Sequence, residues 1–487
     1  MRMRRCASIP KGPTMYDLIG AYLARLSALT PRPIYLVGGS VRDLLSGARN
    51  IKDIDLVMPS GSVDVARAFA DLIGGSFFFL DEERKVTRVM KREADGAIQF
   101  DFTNFEGPDL HADLARRDFT VNAMAIDLKA FLAQGSLDGI IDLFDGRGDV
   151  QQKLVRVADP KVLDDDPLRL LRAVRFAATL GFSIEQTTAE HIKARADLIT
   201  LPSPERIRDE LFQILSVKGA GRHLLLMESL GLLTMLLPEL EPLKDFAPGK
   251  HHLYDIFTHS LKTAEYVDSV RENLPGLSPG HAGTVLAHLE EELEQFVTRE
   301  AALRFACLLH DNAKTETYSR DEEGDIHFFG HDTIGADKAL FICQRFRLSN
   351  DTSSVVSRLV RHHMRPLNLS APGGPSRRAL YRYCRDLKDA VPESIILSLA
   401  DAKATLEVMP AEGFTDTQKI SGQVLEYYYG KFLKAEAKPF VTGKDLIARG
   451  MEPGPSFREV LDDIKERQAE GTLKDRQEAL KYLDTLP

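Results

Sequence analysis

Two aspartates, Asp53 and Asp55, stand two residues apart in a short stretch where they alternate with apolar residues, Asp53-Ile-Asp-Leu-Val57. In a β-strand, side chains two residues apart point to the same face, so the spacing predicts two carboxylates side by side. Such a pair can hold two Mg²⁺ ions, which take oxygen ligands and keep water for a phosphate-bearing substrate. Two metals held in this way activate an attacking hydroxyl and stabilise a leaving pyrophosphate. A third carboxylate, Asp101, lies on a later predicted strand.

A glycine pair upstream, Gly38-Gly39, separates a predicted strand at 34–37 from a predicted helix that contains Arg42. Glycine lets backbone N–H groups approach a triphosphate, and the start of a helix favours anions. Arg42 falls in the first helical turn, where its guanidinium is suited to bind a phosphate through paired hydrogen bonds. A DxD pair alone is typical of a solvated strand end. Together with this glycine turn it favours a nucleotide-binding site.

The segment from Arg116 to Ala125 reads Arg-Arg-Asp-Phe-Thr-Val-Asn-Ala-Met-Ala. With Gly-Gly-Ser-Val-Arg-Asp at 38–43 and the DxD pair, this order resembles the polymerase-β-like nucleotidyltransferases, specifically the class II tRNA nucleotidyltransferase and bacterial poly(A) polymerase family. The resemblance implies Mg²⁺-dependent transfer of nucleotides from CTP or ATP to the 3′ end of tRNA, with Asp53 and Asp55 as the catalytic metal ligands. Contacts to the sugar and phosphates of the incoming nucleotide are assigned by the resemblance to Arg117, Asp118 and Asn122.

The segment Asp165-Asp166-Pro167-Leu168-Arg169 predicts the start of a helix, because aspartate caps a first turn and proline fits its first position. Gly181 predicts its end. Asp166 and Arg169 are three residues apart and so share a face. An acceptor beside a donor fork matches the pairing edges of cytosine and adenine, whereas uracil and guanine present the opposite polarity and are rejected. A capping carboxylate with an intrahelical salt bridge would explain the same pair without any ligand.

This segment also resembles the base-selecting motif of the same family, with Asp165 in the place of its usual glutamate. The resemblance implies that Asp166 and Arg169 choose the base. Arg172 and Arg175 continue the basic stripe at intervals of three residues. They hold the template or the primer end in one interpretation, and pair with other acidic groups in the other.

A second set of chemistry-bearing residues consists of His259, the adjacent pair His310-Asp311, and Asp401, each in a helical context. Imidazole and carboxylate together suit a divalent transition metal, and Asp311 is able to bridge two ions. The order resembles the HD phosphohydrolase superfamily, which implies a metal domain with phosphohydrolase activity in some relatives. Asn312 departs from the apolar residue usual at its position. Further ligands for a second metal are offered by His331, His362 and His363. Each histidine could instead have a purely structural role.

The chain between Asp101 and Arg116 is short. Within the family, members that complete CCA usually carry a longer flexible loop before this arginine, and CC-adding members lack it. Glu106 also stands where the family often has arginine. We therefore expect addition of C, A or both, with CC addition alone as a specific variant. A poly(A) polymerase also stays open, as does an HD phosphohydrolase whose inactive head binds RNA.

Hydrophobic periodicity predicts the elements that position these residues. Strands at 34–37, 54–57, 76–80 and 98–102 with intervening helices predict an α/β head, and the chain is helical from about residue 161. The predicted fold class is α+β: a polymerase-β-like head with a mixed sheet, then an all-α neck, HD body and tail. The predicted domains are an N-terminal helix (1–30), the head (31–150), the neck (151–245), the HD metal domain (246–425) and a tail with a candidate tRNA-binding role (426–487).

Composition limits the remaining interpretations. A net charge of −9 argues against a general nucleic-acid binder but is compatible with carboxylate metal sites beside a local basic path. One basic stretch with interleaved tyrosines, 377–385, fits an RNA backbone path or a solvated helix face equally well. The four widely spaced cysteines indicate reduced thiols in a cytoplasmic protein. We expect no membrane span, because the sequence has no apolar run of about 18 residues.

Overall fold

The computed structural model describes residues 15–48, 51–94, 96–247, 254–369, 374–406 and 411–486. The chain divides into two compact units with the boundary between Leu198 and Ile199. The first unit contains the DxD pair, and the second contains the histidine cluster.

A mixed sheet forms the centre of the first unit. Among the described residues, seven strands join it in the order β3-β4-β5-β2-β1-β6-β7. Strands β2 and β5 run parallel, and the other neighbouring pairs are antiparallel. The strands are β1 Tyr35–Val37, β2 Asp53–Met58, β3 Ser76–Asp81, β4 Val86–Glu93, β5 Gly96–Asn104, β6 Met124–Asp127 and β7 Ile140–Asp142, with a separate parallel pair formed by β8 Leu154–Val155 and β9 Ser183–Ile184.

The helices of this unit are α1 Met15–Leu29, α2 Gly39–Leu45, α3 Ser62–Ile73, α4 Leu110–Ala115, α5 Leu128–Gln134, α6 Gly146–Gln152, α7 Lys161–Asp165, α8 Leu168–Leu180 and α9 Gln186–Lys193. Side chains alternate between the two faces of the sheet, and this alternation decides which strand residues pack against the helices. Ile54 and Leu56 of β2 are 3% and 2% exposed and join a core with Phe69 of α3 and Phe100 of β5. Because β2 alternates, Asp53 and Asp55 point to the opposite face from this core.

Helix α8 begins at Leu168, one residue after the predicted start at Pro167, and is ended by Gly181 as the sequence predicts. Asp166 has extended torsion angles and Pro167 helical ones, and the Asp166 carboxylate accepts a hydrogen bond from Leu168 N at 3.3 Å. Gly181 ends the helix with φ +68°, a left-handed conformation that costs glycine little. The helix therefore presents a fixed face, with its arginines three residues apart.

The second unit is helical: α10 Pro204–Leu215, α11 Ala220–Ser229, α12 Leu232–Leu236, α13 Ile256–Leu277, α14 Ala282–Leu289, α15 Arg299–Leu309, α16 His331–Arg345, α17 Asn350–His362, α18 Arg365–Asn368, α19 Arg377–Leu387, α20 Val391–Leu406, α21 Ala411–Tyr427, α22 Leu433–Ala437, α23 Gly443–Ile447, α24 Pro455–Glu470 and α25 Arg476–Leu483. A π-helical turn spans Tyr428–Phe432. In the described part of this unit, two short antiparallel pairs interrupt the helices, β10 Glu292–Glu294 with β11 Val297–Thr298 and β12 Ser319–Arg320 with β13 Ile326–His327.

Helix α15 is the centre of the second unit. Every one of its residues from Arg299 to Leu309 is buried, and it packs against α10, α13, α17 and α20. A helix that is apolar around most of its circumference is buried in this way. The tail has a small core of its own, formed by Val441, Leu446, Ile464, Leu473, Ala479 and Leu483.

The structure confirms the α+β class, the mixed sheet and the helical second half. The first predicted helix corresponds to α1, and residues 1–14 lie outside the described residues. Strands β4, β6 and β7 were not expected from periodicity, and the short pairs from β8 to β13 break what the sequence indicated to be continuous helical structure. Among the described residues, no helix is both long and apolar enough to cross a bilayer.

Candidate active site and metal centre

Three carboxylates lie on one face of the sheet. Asp53 and Asp55 project from β2, and Asp101 stands directly opposite Asp55 on the parallel strand β5. All three line a cavity of about 420 Å³. The other residues around this cavity are Val37, Gly38, Gly39, Arg42, Asp43, Leu56, Thr103, Arg117, Asp118, Asn122, Arg172 and Phe176. The DxD pair, the glycine turn and the residues of the RRDFTVNAMA motif that were assigned to the nucleotide therefore meet around one space.

The turn before α2 requires glycine at position 38. Gly38 has φ +64° and ψ −135°, a region that L-residues rarely adopt. A Cβ there would lie 3.0 Å from Arg117 Nη1 and 3.1 Å from Asp55 Oδ2. Gly39 is also tight, since its Cβ would lie 3.3 Å from Arg42 Nη2. The backbone at this turn thus approaches the carboxylates more closely than any side chain would allow.

Ser40 is a positioning residue that the sequence interpretation did not single out. Its hydroxyl donates to Asp53 O at 3.3 Å and accepts from Asp55 N at 2.7 Å. The side chain is buried and ties the first turn of α2 to β2. The signal for it was its place directly after the glycine pair, but the partners become visible only with the fold.

Burial and like charges destabilise the ionised carboxylates. Burial, together with the charges of Asp101 and Asp53, raises the pKa of Asp55 to about 6, although Arg117 opposes the shift. Burial also raises the pKa of Asp53, and Arg88 opposes that shift. Clustered carboxylates of this kind suit divalent cations, because a bound cation offsets the repulsion between the negative charges. Asp101 is already paired, since both of its oxygens accept from Arg88 at 2.7 Å.

A buried hydrogen-bonded chain forms another wall of the cavity. Arg42 donates through Nη1 to Asn122 Oδ1 at 2.7 Å, and Asn122 donates through Nδ2 to Asp118 at 3.0 Å. Arg172 of α8 donates twice to Asp118 Oδ2, at 2.6 and 3.0 Å. Although burial opposes ionisation, Arg172 and Asn122 hold the pKa of Asp118 below its usual range. Arg42, Asp118 and Asn122, predicted as nucleotide ligands, are thus also bonded to each other.

Arg117 and Arg42 each pair with a neighbouring carboxylate. Arg117 donates through Nε and Nη2 to Asp113 Oδ2 at 3.3 and 3.0 Å. Arg42 donates through Nε to Asp43 at 2.9 Å. These carboxylates fix the planes of both guanidinium groups at the edge of the cavity. The sequence patterns pointed to the arginines but not to Asp113.

Phe176 is a second residue that sequence reasoning missed. Its ring lines the cavity, and the guanidinium carbons of Arg175, Arg172 and Arg42 lie 4.2, 5.3 and 5.6 Å from its centroid. Phe119 packs against the same ring in an edge-on geometry with centroids 5.6 Å apart. The ring therefore gathers three arginines, two of them from the basic stripe, around one apolar surface.

The predicted base-reading pair lies beside the cavity and not in its lining. Asp166 precedes α8 and accepts a hydrogen bond from Leu168 N. Arg169 donates through Nη1 to Val162 O and through Nη2 to Arg116 O, both at 2.9 Å. The structure therefore brings Arg172 into the cavity wall, places Arg169 one turn away, and turns Arg175 onto Phe176.

The basic stretch 377–385 serves a structural contact within the second unit. Arg378 and Arg382 of α19 both donate to Glu466 of α24, at 2.7 and 3.1 Å. Arg377 donates to the carbonyl of Glu470 at 2.9 Å. The stretch therefore contacts the tail helix, while Arg378 and Arg382 remain 60% and 45% exposed; the RNA path and the solvated face both stay predictions.

The second unit brings the predicted metal ligands together. His259, His310 and Asp401 offer ligand atoms that all lie within 4.8 Å of one another. His259 Nε2 is 3.0 Å from Asp401 Oδ1, and His310 Nε2 is 3.2 Å from Asp311 Oδ2. Although burial opposes ionisation, His259 lowers the pKa of Asp401 to about 2. His310 Nε2 and Asp311 Oδ1 are both buried without a hydrogen-bond partner among the described residues. Unpartnered ligand atoms that converge in this way fit a metal ion.

A second ligand group shares this centre. Asp311, His331 and His363 also lie within 4.8 Å of one another and are all buried. His310, His331 and His363 each bond a backbone carbonyl through Nδ1, at 2.8, 2.7 and 2.7 Å. Such bonds fix the ring and direct the lone pair of Nε2 toward the centre. His362, offered by the sequence as a further ligand, belongs to neither group; it lines a different cavity.

Asn312 joins the metal turn to a neighbouring helix. Its side-chain amide donates to Gly335 O of α16 at 3.3 Å, and a Cβ on Gly335 would lie 2.8 Å from Asn312 Oδ1. Asn312, which stands where the HD superfamily usually has an apolar residue, therefore packs against α16, the helix that carries His331. Lys314 lies 2.7 Å from Asp311 and adds a cation at the edge of the centre.

Comparisons with known proteins agree with this geometry. Residues 34–156 match the family model described as the poly A polymerase head domain, 181–244 match the probable RNA and SrmB- binding site of polymerase A, and 256–406 match the HD domain. The A-adding tRNA nucleotidyltransferase of Deinococcus radiodurans is 34% identical over 92% of this chain and 94% of its own length. The CC-adding tRNA nucleotidyltransferase of Geobacter sulfurreducens is 30% identical over 92% of this chain and 91% of its own.

Solved structures share the fold. The Thermotoga maritima CCA-adding enzyme complexed with tRNA has a TM-score of 0.58 at 22% identity, covering 96% of this chain and 95% of that one. A CCA-adding enzyme in an apo form has a TM-score of 0.63 at 22% identity, covering 96% and 93%. The nucleotidyltransferase and HD families both depend on metals. Among the described residues, the HD domain holds two groups of candidate ligands, and in the head three carboxylates line one cavity. The chain is a nucleotidyltransferase and belongs to the family of tRNA nucleotidyltransferases and bacterial poly(A) polymerases, with an HD domain in its second half.

Proposed function

We propose that this nucleotidyltransferase adds cytidines from CTP to the 3′ end of tRNA and stops after CC. The observation that carries the proposal is the short, anchored connection between β5 and α4. Only residues 105–109 separate the two elements. A connection of this length leaves little room for a segment that could change the cavity between two bases.

The carboxylates fit Mg²⁺ as the metal of the head. Asp53 and Asp55 offer hard oxygen ligands on one face of β2, at the edge of a cavity that also contains the glycine turn. Mg²⁺ prefers one or two carboxylates together with substrate phosphates. When bound, the ions activate the attacking hydroxyl and offset the charge of the leaving pyrophosphate.

The protein's own residues orient the reactants. The backbone at Gly38 and Gly39 is open to a triphosphate because neither residue carries a Cβ. Arg117 supplies a positive charge at the same edge, and Asp113 holds its plane. The tRNA 3′-hydroxyl attacks the α-phosphate of CTP, an ester bond forms at that phosphorus, and the bond to pyrophosphate breaks. Arg172 and Phe176 form the wall on the side of α8.

Selection of the base is assigned to Asp166 and Arg169. Asp166 is held at the start of α8, and Arg169 is held by two carbonyls, one of which belongs to Arg116 in the nucleotide motif. The carboxylate that precedes α8 and the guanidinium in its first turn offer an acceptor and a donor that match cytosine and adenine, although neither residue lines the cavity in this structure. Uracil or guanine would place an acceptor opposite the carboxylate and a donor opposite the guanidinium, and such unpaired polar groups select strongly against the wrong base.

The connection between β5 and α4 is anchored at several points. Glu106 N donates to Asp113 Oδ1 at 3.0 Å, while the other oxygen of Asp113 accepts from Arg117. Asp109 caps α4 by accepting from Ala112 N at 2.9 Å. Gly107 packs so closely that a Cβ there would lie 2.9 Å from Ala112 Cβ. A segment held in this way keeps one shape of the nucleotide cavity, which supports a single base specificity in place of a switch from C to A.

Relatives support this assignment and also raise a second candidate. CC-adding tRNA nucleotidyltransferases of Geobacter sulfurreducens and Thermus thermophilus are 30% and 31% identical to the chain. The Deinococcus radiodurans relative, at 34%, is an A-adding enzyme, so addition of A to tRNA ending in CC is the second candidate. A poly(A) polymerase, and an HD phosphohydrolase with an RNA-binding head, are the functions that a test must also distinguish.

Primer extension decides among these functions. The full chain is incubated with Mg²⁺ and each nucleoside triphosphate, alone and combined, on tRNA ending at its discriminator base, on tRNA-CC and on an unstructured RNA. Arrest after two cytidines is expected. Three added nucleotides, or A added only to tRNA-CC, would overturn the CC assignment and leave the carboxylate mechanism standing. Long A tails on every RNA would indicate a poly(A) polymerase.

The mechanism has its own test. Asp55→Asn is expected to abolish transfer, whereas Asp64→Asn, an exposed aspartate in the first turn of α3, should not change it. Near-normal transfer by Asp55→Asn would refute the proposed metal site. If the native chain transfers no nucleotide but has phosphatase activity, the HD centre is its active site and the head only binds RNA.

For the HD centre we propose a divalent transition metal, because its ligands are imidazoles and carboxylates. A cytoplasmic location is proposed on separate grounds. The thiols of Cys307, Cys343 and Cys384 are buried and free, as is usual for proteins of a reducing compartment.

A further inference from the structure

Arg88 belongs to a row of charged residues that crosses three strands. It stands directly opposite Asp101 in the antiparallel pairing of β4 with β5, and Asp101 stands opposite Asp55 in the parallel pairing of β5 with β2. Side chains of directly paired residues lie on the same face of a sheet. The row Arg88–Asp101–Asp55 therefore places one cation at the end of the carboxylate group.

The pairing of Arg88 with Asp101 uses both carboxylate oxygens. Nε lies 2.7 Å from Oδ1 and Nη2 lies 2.7 Å from Oδ2, a parallel fork that fixes the carboxylate plane. The two side chains are 29% and 24% exposed, so solvent screens the pair only in part. Asp101 lines the cavity with the DxD pair, whereas Arg88 is not among the lining residues. Arg88 thus acts on the cavity through Asp101.

The charge of Arg88 also reaches the metal ligands. It opposes the burial that raises the pKa of Asp53, and its own pKa is raised through its bond to Asp101 and by the charges of Asp53 and Asp55. Other charges at this edge are Lys52 near Asp53, Arg117 near Asp55, and Arg42 with Asp43. Arg88 differs from them because it forms a two-point bond to a carboxylate inside the group.

We propose that Arg88 is a positioning residue of the transfer site: it fixes the Asp101 carboxylate and offsets its charge, so that divalent metal binds weakly at Asp53 and Asp55. This inference rests on the proposed function of the head. Without Arg88, the three carboxylates would face the cavity with one cation fewer, and Asp101 would be able to turn into it. Metal would then bind more tightly, but in a geometry that the reaction does not use.

Four variants separate charge from orientation. Arg88→Gln removes both, and Arg88→Lys keeps the charge but loses the fork. Asp101→Asn leaves the arginine cation without its anion. Arg92→Gln is the matched control, because Arg92 is an exposed arginine four residues further along β4. The probe is Mn²⁺, titrated into the metal-free full chain and followed by electron paramagnetic resonance. Sites in the head are those lost in Asp55→Asn, which sets aside ions bound at the HD centre.

We expect opposite changes in affinity and rate. Arg88→Gln should lower the Kd for head-bound Mn²⁺ by about three- to tenfold, and Asp101→Asn should raise it by a similar factor, since each changes one unit charge near a divalent ion. Arg88→Gln should also lower kcat at saturating metal. Arg88→Lys should keep the Kd near that of the native chain while lowering kcat, and Arg92→Gln should change neither.

The outcomes distinguish the two levels of inference. A native chain that shows no Mn²⁺ site sensitive to Asp55→Asn would refute the proposed metal site of the head, on which the role of Arg88 depends. A native site with a Kd that Arg88→Gln leaves within about twofold would overturn the role of Arg88 alone. Weaker Mn²⁺ binding together with a lower kcat would also overturn it, because loss of local structure lowers both. If Arg88→Gln does not fold, Arg88→Lys and Asp101→Asn still test the proposal, since the first should leave the Kd unchanged and the second should raise it.

Discussion

Arg172 of α8 donates two hydrogen bonds to Asp118, with Nη2 and Nε 2.6 and 3.0 Å from the same carboxylate oxygen. Asp118 is buried and also accepts from Asn122 and from Phe119 N. This carboxylate therefore joins the nucleotide motif to the helix that carries the predicted base-reading residues. A position that family resemblance assigns to nucleotide binding is, in the folded chain, the junction between two parts of the site.

Replacing Asp118 by alanine should destabilise the protein and weaken nucleotide binding together. The change leaves Arg172 and Asn122 without their shared acceptor, and removal of one partner from a buried pair costs about 3 kcal/mol. We expect the KM for CTP to rise along with this loss. Urea denaturation and steady-state kinetics measure the two effects. The matched control is Asp164→Ala, which breaks the exposed pair with Arg195 at 2.8 Å and should change neither quantity by a comparable amount. An unchanged KM in Asp118→Ala would contradict the expectation.

Gly38→Ala should abolish transfer, because its Cβ would crowd Asp55 Oδ2 and Arg117 Nη1. The backbone conformation at Gly38, φ +64° with ψ −135°, adds about 1–3 kcal/mol of strain for a residue that carries a Cβ. Gly47→Ala separates these contributions, since Gly47 also has a positive φ, +72°, but nothing lies within 4 Å of the position that a Cβ would take there. Single-turnover transfer should survive in Gly47→Ala. Equal loss in both variants would show that backbone strain, and not the crowded turn, is responsible.

Features that depend only on residues close together in the sequence could be predicted, whereas features that depend on tertiary pairing could not. The period of two in β2 was enough to place Asp53 and Asp55 on one face, and the capping signals located the ends of α8. The alignment of Asp101 with Asp55 needed the parallel pairing of two strands that are distant in sequence. Strand β4 was missed because charged residues interrupt its alternation, and with it the partner of Asp101, Arg88.

Tertiary pairing also decided which polar residues face each other. Nothing near Arg378 in sequence points to Glu466, and the side chain of Glu466 is only 10% exposed in the folded chain. Asp118 could be recognised from its motif, but its bond to Arg172 depends on where α8 lies against the head. Direct contact of Asp118 and Asn122 with a nucleotide stays a prediction. The structure adds that both side chains are held by hydrogen bonds to other residues of the first unit.

His363→Ala should weaken metal binding at the HD centre, whereas His362→Ala should not. The two residues are neighbours, but only His363 joins Asp311 and His331, because successive residues at a helix end point in different directions. Loss of an outer-shell partner already costs roughly 10–100-fold in metal affinity, so loss of this candidate ligand should cost at least about tenfold. Metal content after dialysis against Co²⁺ measures the effect. Transfer to tRNA should be unchanged in both variants, and equal metal loss in both would contradict the ligand assignment.

The tail should lose stability in acid through Asp445. This carboxylate accepts from Arg476 Nη2 at 2.5 Å and from Thr442 N at 2.8 Å, linking the start of α23 to α25. The bond from Arg476, followed by that from Thr442, lowers the pKa of Asp445 to about 2. An unfolded aspartate has a pKa of about 3.9, so the contribution is complete above that value and is lost as the pH falls from about 4 to about 2. Solvent screens the pair, so the contribution is about 1 kcal/mol.

The test compares urea denaturation of the native chain and Asp445→Asn at several pH values. At neutral pH the variant should be less stable, and the difference should shrink toward zero as the solution is acidified through that range. Asp484→Asn is the matched control, since Asp484 accepts from Arg449 at 2.6 Å but is 59% exposed. Its effect should be smaller, because the more exposed carboxylate is screened more strongly. A difference for Asp445→Asn that stays constant into acid would show that the ion pair with Arg476 does not lower the pKa, and that the asparagine acts only by weakening the cap of α23.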